Sequence, residues 1–146
     1  RLEIARAYNA DVYIASDEEN VVERCREETG GHGPDVVITT CGAVEAHEQA
    51  IDMVAHRGYV NFFGGLAKDI RPAQILSNTI HYKECYVTGS HGSVPRQHEL
   101  AVTLIETGVV RVTPVITHTY PLSGIQEAFE TMESRMGMKV LLHPHA

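Results

Sequence analysis

The chain has 146 residues, 43% of them apolar, and its 12 basic and 19 acidic residues give a formal net charge of -7. This length suits one compact domain with an appendage. The acidic balance and the scattered basic residues argue against nucleic acid and anionic membranes as partners, and no apolar run reaches the roughly 20 residues that cross a bilayer.

The first part of the chain predicts two helices around one strand. Apolar residues at helical spacing near the start indicate a short helix that leads into a strand at residues 12–15. Ser16 or Asp17 is expected to cap the next helix, which ends at Gly30 and Gly31 because glycine readily adopts the left-handed conformation there.

Residues 33–66 predict strand, helix and strand, with a glycine turn after each strand. The β-branched run at 35–40 is typical of a strand buried on both faces. A helix over 43–56 and a second strand at 59–63 follow. The apolar stripe of that helix consists of Val44, Ile51 and Val54. This alternation is the repeating unit of a parallel sheet, which binds ligands at the carboxyl ends of its strands.

The next part of the chain predicts a surface crossing, a strand and a helix. A polar stretch with proline covers residues 67–78, and a surface turn at 81–83 precedes a strand at 85–88. Pro95 begins a helix that ends near Gly108. Its inward-facing residues are expected to be Leu100, Leu104 and Ile105.

The last part predicts a strand at 112–118, a helix from about 121 to 134 and a final strand at 138–142. The nine histidines are dispersed, and only His143 and His145 lie close together in sequence. We expect an exposed tail there, with metal binding as the alternative.

Cysteine usage indicates a reducing compartment. Cys25, Cys41 and Cys85 are odd in number and widely spaced, without a C-x-x-C pair. This pattern encodes neither a disulfide framework nor a structural zinc knuckle, and it suits a cytoplasmic protein.

Four segments in order carry a family resemblance: GPDVVITTCG, HRGYVNFFGGL, IHYKECYVTGSHGS and ITHTYPLSGIQEAFETMESRMGMKVLLHP. Together they resemble the C-terminal part of the zinc-dependent medium-chain alcohol dehydrogenases over essentially the whole chain. IHYKE and KVLLHP look most like the polyol branch, which holds sorbitol and threonine dehydrogenases. The resemblance implies an α/β fold: an incomplete Rossmann domain at residues 1–111, whose doubly wound parallel sheet lacks its first two strands, and a segment at 112–146 that packs with the catalytic domain.

The resemblance also marks family features that this sequence does not contain. They are the zinc ligands of the catalytic domain and the G-x-G-x-x-G turn that holds the pyrophosphate; the GGHG at residues 30–33 follows a helix and enters a strand, the wrong context for that turn. In the strand order 3-2-1-4-5-6, the two missing strands lie between the strands at 12–15 and 35–40. Each buried unpaired backbone group costs about 1–3 kcal/mol. We therefore expect a fragment of a longer enzyme. The two strand edges that face the gap would find hydrogen-bond partners in a separate chain, by closure of the sheet or by strand swapping.

The cofactor contacts implied by the resemblance are three turns at strand ends and two basic side chains. The turn residues are Thr40, Cys41 and Gly42, then Phe63, Gly64 and Gly65, and finally Gly89, Ser90 and His91. The basic residues are Arg1, implied to lie beside the adenosine, and Lys139, implied to neutralise the pyrophosphate. Ordinary turns and a plain edge-strand lysine are the alternatives, and the resemblance implies that His91 makes a polar or subunit contact and does not act as a general base. No catalytic residue and no metal ligand is expected in this chain.

Two functions remain open at this point. In the first, the intact protein transfers a hydride between a secondary alcohol or polyol and NAD, with zinc polarising the alcohol, and this chain alone is inactive. NAD is preferred to NADP by analogy with the polyol branch. In the second, the chain is a catalytically inactive module for self-association. The family pairs its last Rossmann strand across a two-fold axis, which implies a homodimer or homotetramer formed through residues 85–88.

Overall fold

A computed structural model describes residues 1–145. The chain folds into two compact units. We call Ile14–Gly92 the three-stranded unit, and Arg1–Tyr13 together with the chain from Ser93 onward the two-stranded unit. The helices are α1 (Leu2–Ala5), α2 (Val21–Glu28), α3 (Val44–Met53), α4 (Ser77–Lys83), α5 (Pro95–Glu106) and α6 (Ile125–Glu133). The strands are β1 (Val36–Thr39), β2 (Tyr59–Phe62), β3 (Tyr86–Gly89), β4 (Ile116–Pro121) and β5 (Lys139–His143). Short 3-10 helices cover Arg6–Tyr8, Thr113–Val115 and Leu122–Gly124.

The three-stranded unit contains a parallel sheet in the order β1-β2-β3. Its register pairs Thr39 with Phe62 and Phe62 with Gly89, so the three strands end at the same edge. Helix α3 connects β1 to β2, and α4 lies between β2 and β3 in the chain, as parallel neighbours require. The sequence-based prediction of a parallel sheet with aligned strand ends is confirmed.

One face of this sheet holds the core, and α3 and the residue that follows it supply a large part of it. The predicted apolar stripe is confirmed, since Val44 and Ile51 of α3 and Val54, which directly follows the helix, are all buried. Ile51 and Val54 pack with Val60 of β2, which is fully buried. Burial of these apolar side chains supplies the main driving force for folding of the unit.

The prediction that the strand at 35–40 is buried on both faces is wrong. Val37 packs against the core, whereas Val36 and Ile38 are 59% and 58% exposed. Successive side chains of a strand point to opposite faces, and α3 covers only the face of Val37.

Residues 12–15, predicted as a strand, lie outside all strands of residues 1–145. A strand requires a hydrogen-bonded neighbour, and β1 pairs on one side only, with β2. The β-branched character of this segment is therefore not enough to make it a strand.

The second helix begins later than the sequence pattern predicts. The side chain of Asn20 caps it, accepting hydrogen bonds from the backbone N–H groups of Val22 and Glu23 at 3.1 and 3.3 Å. Ser16 and Asp17 lie in a preceding turn, in which the carbonyl of Ala15 is the acceptor for two backbone N–H groups. The prediction that Ser16 or Asp17 caps this helix is wrong because that turn uses these residues.

Residues 81–83, predicted as a surface turn, belong to α4. Lys83, the last residue of this helix, fixes it to α3: its Nζ donates to the carbonyl oxygens of Ile51, Asp52 and Val54 at 3.2, 2.6 and 2.8 Å. The ammonium group thus satisfies the carbonyls at the end of α3, where the helix dipole favours a positive charge. Burial lowers the pKa of Lys83, and the nearby Arg26 lowers it further.

Replacing Lys83 by methionine is expected to destabilise the three-stranded unit by about 2 kcal/mol, because the carbonyls of Ile51 and Val54 lose a charged donor. Lys68→Met, at an exposed position of the loop before α4, is the matched control and should change the free energy of unfolding little. Urea unfolding followed by circular dichroism measures both. Equal stabilities of the two variants would refute a capping role for Lys83.

The two-stranded unit is built from β4, α6 and β5. The strands are parallel, with Ile116 opposite Lys139, and α6 packs on them through Ala128 and Thr131. The hydroxyl groups of Tyr120 and Thr131 lie 2.8 Å apart and link the sheet to the helix. The predicted strand at 112–118 starts only at Ile116, because residues 113–115, which include a proline, form a 3-10 helix.

Helix α5 begins at Pro95 as predicted, but its apolar residues are not buried. Leu100 and Ile105 are 58% and 43% exposed, and Leu104 is half-buried. The prediction that all three face inward is wrong, since the buried residues of this unit's helices lie on α6 instead.

Candidate functional site

The turns after β1 and β2 touch through their backbones. The N–H groups of Phe63 and Gly64 both donate to the carbonyl of Thr39, at 3.2 and 2.7 Å. A Cβ on Gly64 would lie 2.6 Å from both N and O of Cys41, and one on Gly42 would lie 2.9 Å from O of Gly65. Glycine is therefore required at Gly64 by close backbone approach.

The outer surface of these two turns is open. Thr40, Cys41 and Gly65 are exposed, and a Cβ on Gly65 would have nothing within 4 Å. Phe63 is exposed as well. An outside molecule can therefore reach the turn backbone directly.

The third predicted turn joins the same edge through Ser90. Its N–H donates to the carbonyl of Phe62 at 3.2 Å, and its hydroxyl forms hydrogen bonds with the side-chain amide of Asn61 at 2.8 and 3.1 Å. His91 follows, exposed. Asn61 was missed by sequence reasoning, although a lone amide within an aromatic and β-branched strand is a usable signal.

Beneath the strand ends lies a buried histidine that sequence reasoning also missed. The ring of His47 stacks on Phe62 with centroids 4.7 Å apart and planes at 2°. Its Nε2 lies 3.5 Å from the hydroxyl oxygen of Thr39. Its position on α3, one turn before Ile51, is the signal that could have found it.

Arg1 and Lys139, the two predicted basic contacts, belong to the two-stranded unit. Arg1 precedes α1, and Lys139 begins β5 with its residue exposed. The structure thus brings the three turns together within one unit, and the roles of the two basic residues stay predictions.

An ion-pair cluster fastens the loop after Gly65 to α3. Arg71 donates to both carboxylate oxygens of Glu48, at 2.7 and 3.1 Å, and to Glu45 at 3.2 Å. The N–H of Gln74 donates to the same Glu48 carboxylate at 2.7 Å. The hydrogen bonds from Arg71, and then that from Gln74, lower the pKa of Glu48 to about 2.

The Glu48 cluster is expected to make stability pH-dependent. Because the pKa of Glu48 is lower in the folded chain, its contribution is present above about pH 4.5 and is lost as the pH falls toward 2. The melting temperature of the native chain should fall across this window, and that of Glu48→Gln should fall less. Asp69→Asn, in the same loop, is the control and should follow the native profile. Parallel profiles for native chain and Glu48→Gln would contradict the assignment.

Within residues 1–145, no three His, Cys, Asp or Glu side chains come together in an arrangement that could hold a metal ion. None of the helices in the same residues is long and apolar enough to span a bilayer.

Known proteins resemble this chain in sequence and in fold. A family model described as "Zinc-binding dehydrogenase" matches residues 1–107. A sorbitol dehydrogenase from Halalkalibacterium halodurans is 33% identical over 144 residues, and an L-threonine 3-dehydrogenase from Bacillus velezensis is 34% identical over 146; each alignment covers 99% of this chain and 41% of the relative. An alcohol dehydrogenase structure from Thermotoga maritima aligns with a TM-score of 0.88 at 25% identity, over 99% of this chain and 40% of that one.

The chain therefore spans about two fifths of the length of the relatives it matches. The part of the solved structure that it matches has the same Rossmann-like α/β fold. The α/β Rossmann-type fold class and the family resemblance that the four sequence segments carry are both confirmed.

Proposed function

This chain belongs to the zinc-binding dehydrogenase family, and on that premise we propose that it supplies part of the NAD site of an oxidoreductase acting on a secondary alcohol or polyol. The observation that carries the proposal is the meeting of three turns at the carboxyl ends of β1, β2 and β3. Ligands of open α/β sheets bind at this edge. We retain the division into a partial dinucleotide-binding domain at 1–111 and a segment at 112–146 that packs with a catalytic domain; Ala146 itself lies outside the described residues.

The turns suit a cofactor that is held by backbone groups. Gly65 leaves its backbone open on the outer surface, whereas Gly64 and Gly42 hold the two turns together underneath. A nicotinamide ring bound there accepts or gives up the hydride. The proposed contacts are Thr40, Cys41, Gly42, Phe63, Gly64, Gly65, Gly89, Ser90 and His91, with Arg1 and Lys139 for the adenosine and the pyrophosphate.

Zinc polarises the alcohol oxygen in the proposed intact enzyme. Because residues 1–145 present no cluster of side chains that fits the ion, we assign none of its ligands to this chain. The proposed role of the chain is thus to position the nicotinamide and not to activate the alcohol.

The proposal is tested by calorimetry with NAD and with NADP on the complete natural polypeptide that contains these residues, together with NAD reduction assays on polyols and threonine. We expect binding of NAD in preference to NADP and turnover of a secondary alcohol. The sequence contains no G-x-G-x-x-G turn, so we expect residues 1–146 alone to bind NAD more weakly than about 1 mM. Absence of NAD binding by the complete polypeptide would contradict the proposal.

A second proposed function is self-association through β3. This strand is at one end of the order β1-β2-β3, and all of its residues are exposed. Tyr86 and Ser90 donate their N–H groups toward β2, so the N–H of Val87 between them points to the free edge. Such an edge can pair with its counterpart in another copy.

Val87→Pro is expected to convert a dimer to a monomer in sedimentation equilibrium, since proline removes the free-edge donor and leaves the bonds to β2 intact. Asp69→Asn, away from the strand, should stay dimeric. A native chain that is monomeric at all concentrations would contradict pairing through β3.

A further inference from the structure

His47 contacts the last residue of two strands at once. The residue is 6% exposed, and its ring lies flat on Phe62, with centroids 4.7 Å apart and planes at 2°. Its Nε2 also lies 3.5 Å from the hydroxyl oxygen of Thr39. Thr39 and Phe62 are register partners, the final pair between β1 and β2.

The residues that follow this pair are the two proposed cofactor turns. The carbonyl of Thr39 accepts hydrogen bonds from the N–H groups of Phe63 and Gly64, so Thr39 is held by His47 on its side chain and by the second turn on its backbone. Any movement of the final strand pair is therefore passed to both turns.

The two turns are in close backbone contact with each other. The built Cβ positions on Gly64 and Gly42 fall 2.6 and 2.9 Å from the opposite backbone, which shows how closely the two turns approach each other. Close-packed segments transmit displacements instead of damping them. The spacing of the turns thus depends on what supports Thr39 and Phe62 from below.

A plain core residue would not give the same support. The neighbouring inward positions of α3 hold Val44 and Ile51, which fill space without a flat surface. Burial of an imidazole is costly unless its polar atoms find partners, and here Nε2 reaches the hydroxyl of Thr39 while the ring face matches that of Phe62.

We propose that His47 is a positioning residue that fixes the spacing of the turns after β1 and β2, and through it the affinity for the nicotinamide half of NADH. This inference rests on the proposed function. His47 acts through Thr39 and Phe62 and is not a catalytic residue.

The test compares three variants of the complete natural polypeptide, using the fluorescence of bound NADH. His47→Leu fills the site with an apolar side chain but loses the flat ring and the contact with Thr39. We expect it to weaken NADH binding about fivefold, because the two turns are no longer held at their spacing. His47→Phe keeps the ring and should restore most of the affinity. Ile51→Val, on the same face of α3 but away from the turns, should lower stability without changing NADH affinity.

A His47→Leu variant that binds NADH like the native protein, or a loss of affinity in Ile51→Val of the same size, would overturn the inference while leaving the proposed function intact. If the native polypeptide binds no NADH, the proposed function fails. The positioning role of His47 is then tested by hydrogen exchange without a cofactor. The amides of Phe63 and Gly64 should then exchange faster in His47→Leu than in the native chain or Ile51→Val. Equal exchange in all three would overturn it.

Discussion

Alanine at Gly33 is expected to destabilise the three-stranded unit by about 4 kcal/mol, a large part of the stability of a domain this size. Gly33 has a φ of +83°, and a Cβ there would overlap the carbonyl oxygen of Met53 and lie 3.2 Å from N of Ala55. Both obstacles are backbone groups at the end of α3, so relief requires the helix end to move away from the start of β1.

Gly31 provides the matched control, because its φ of +89° is as unusual but a Cβ there would have nothing within 4 Å. Gly31→Ala should cost only the conformational strain, about 1 kcal/mol. Urea unfolding of both variants separates strain from overlap. Equal losses of stability would show that the segment before β1 does not pack on the end of α3 as described.

Alanine at Gly64 is the second substitution with a large expected effect, about 3 kcal/mol. Its Cβ would lie 2.6 Å from N and O of Cys41, and both obstacles are backbone atoms that a rotation of a side chain cannot clear. The two turns would separate, and NADH affinity should fall together with stability, as measured by thermal unfolding and NADH fluorescence.

Gly65→Ala separates the two effects. A Cβ there meets nothing within 4 Å, so the free energy of unfolding should stay nearly unchanged. In the proposed site this methyl group would project toward the cofactor, and NADH affinity should fall by itself. Unchanged affinity in Gly65→Ala would show that the cofactor does not approach this turn.

The sequence predicts the three-stranded unit well where a local signal is sufficient. The apolar stripe has the period of a helix, and the glycines after β1 and β2 mark turns at strand ends; the structure has both in those places. The meeting of the turns at one edge follows from parallel pairing alone.

Features that depend on distant partners could not be predicted in this way. Residues 12–15 have strand-like composition, yet pairing decides whether a strand forms. Helix α4 lacks a clear stripe, and Lys83 links it to carbonyls more than 25 residues away in the chain. His47 and Asn61 acquire their roles only when β1, β2 and the third turn come together.

Hydrogen exchange by mass spectrometry on the complete natural polypeptide, with and without NADH, tests most directly whether these turns form the cofactor site. NADH is expected to protect peptides that contain residues 39–42, 62–65 and 89–91, while peptides of α2 stay unchanged. NADH binding that leaves those three peptides unprotected, with protection confined to other segments, would contradict the assignment of the site to the carboxyl ends of β1, β2 and β3.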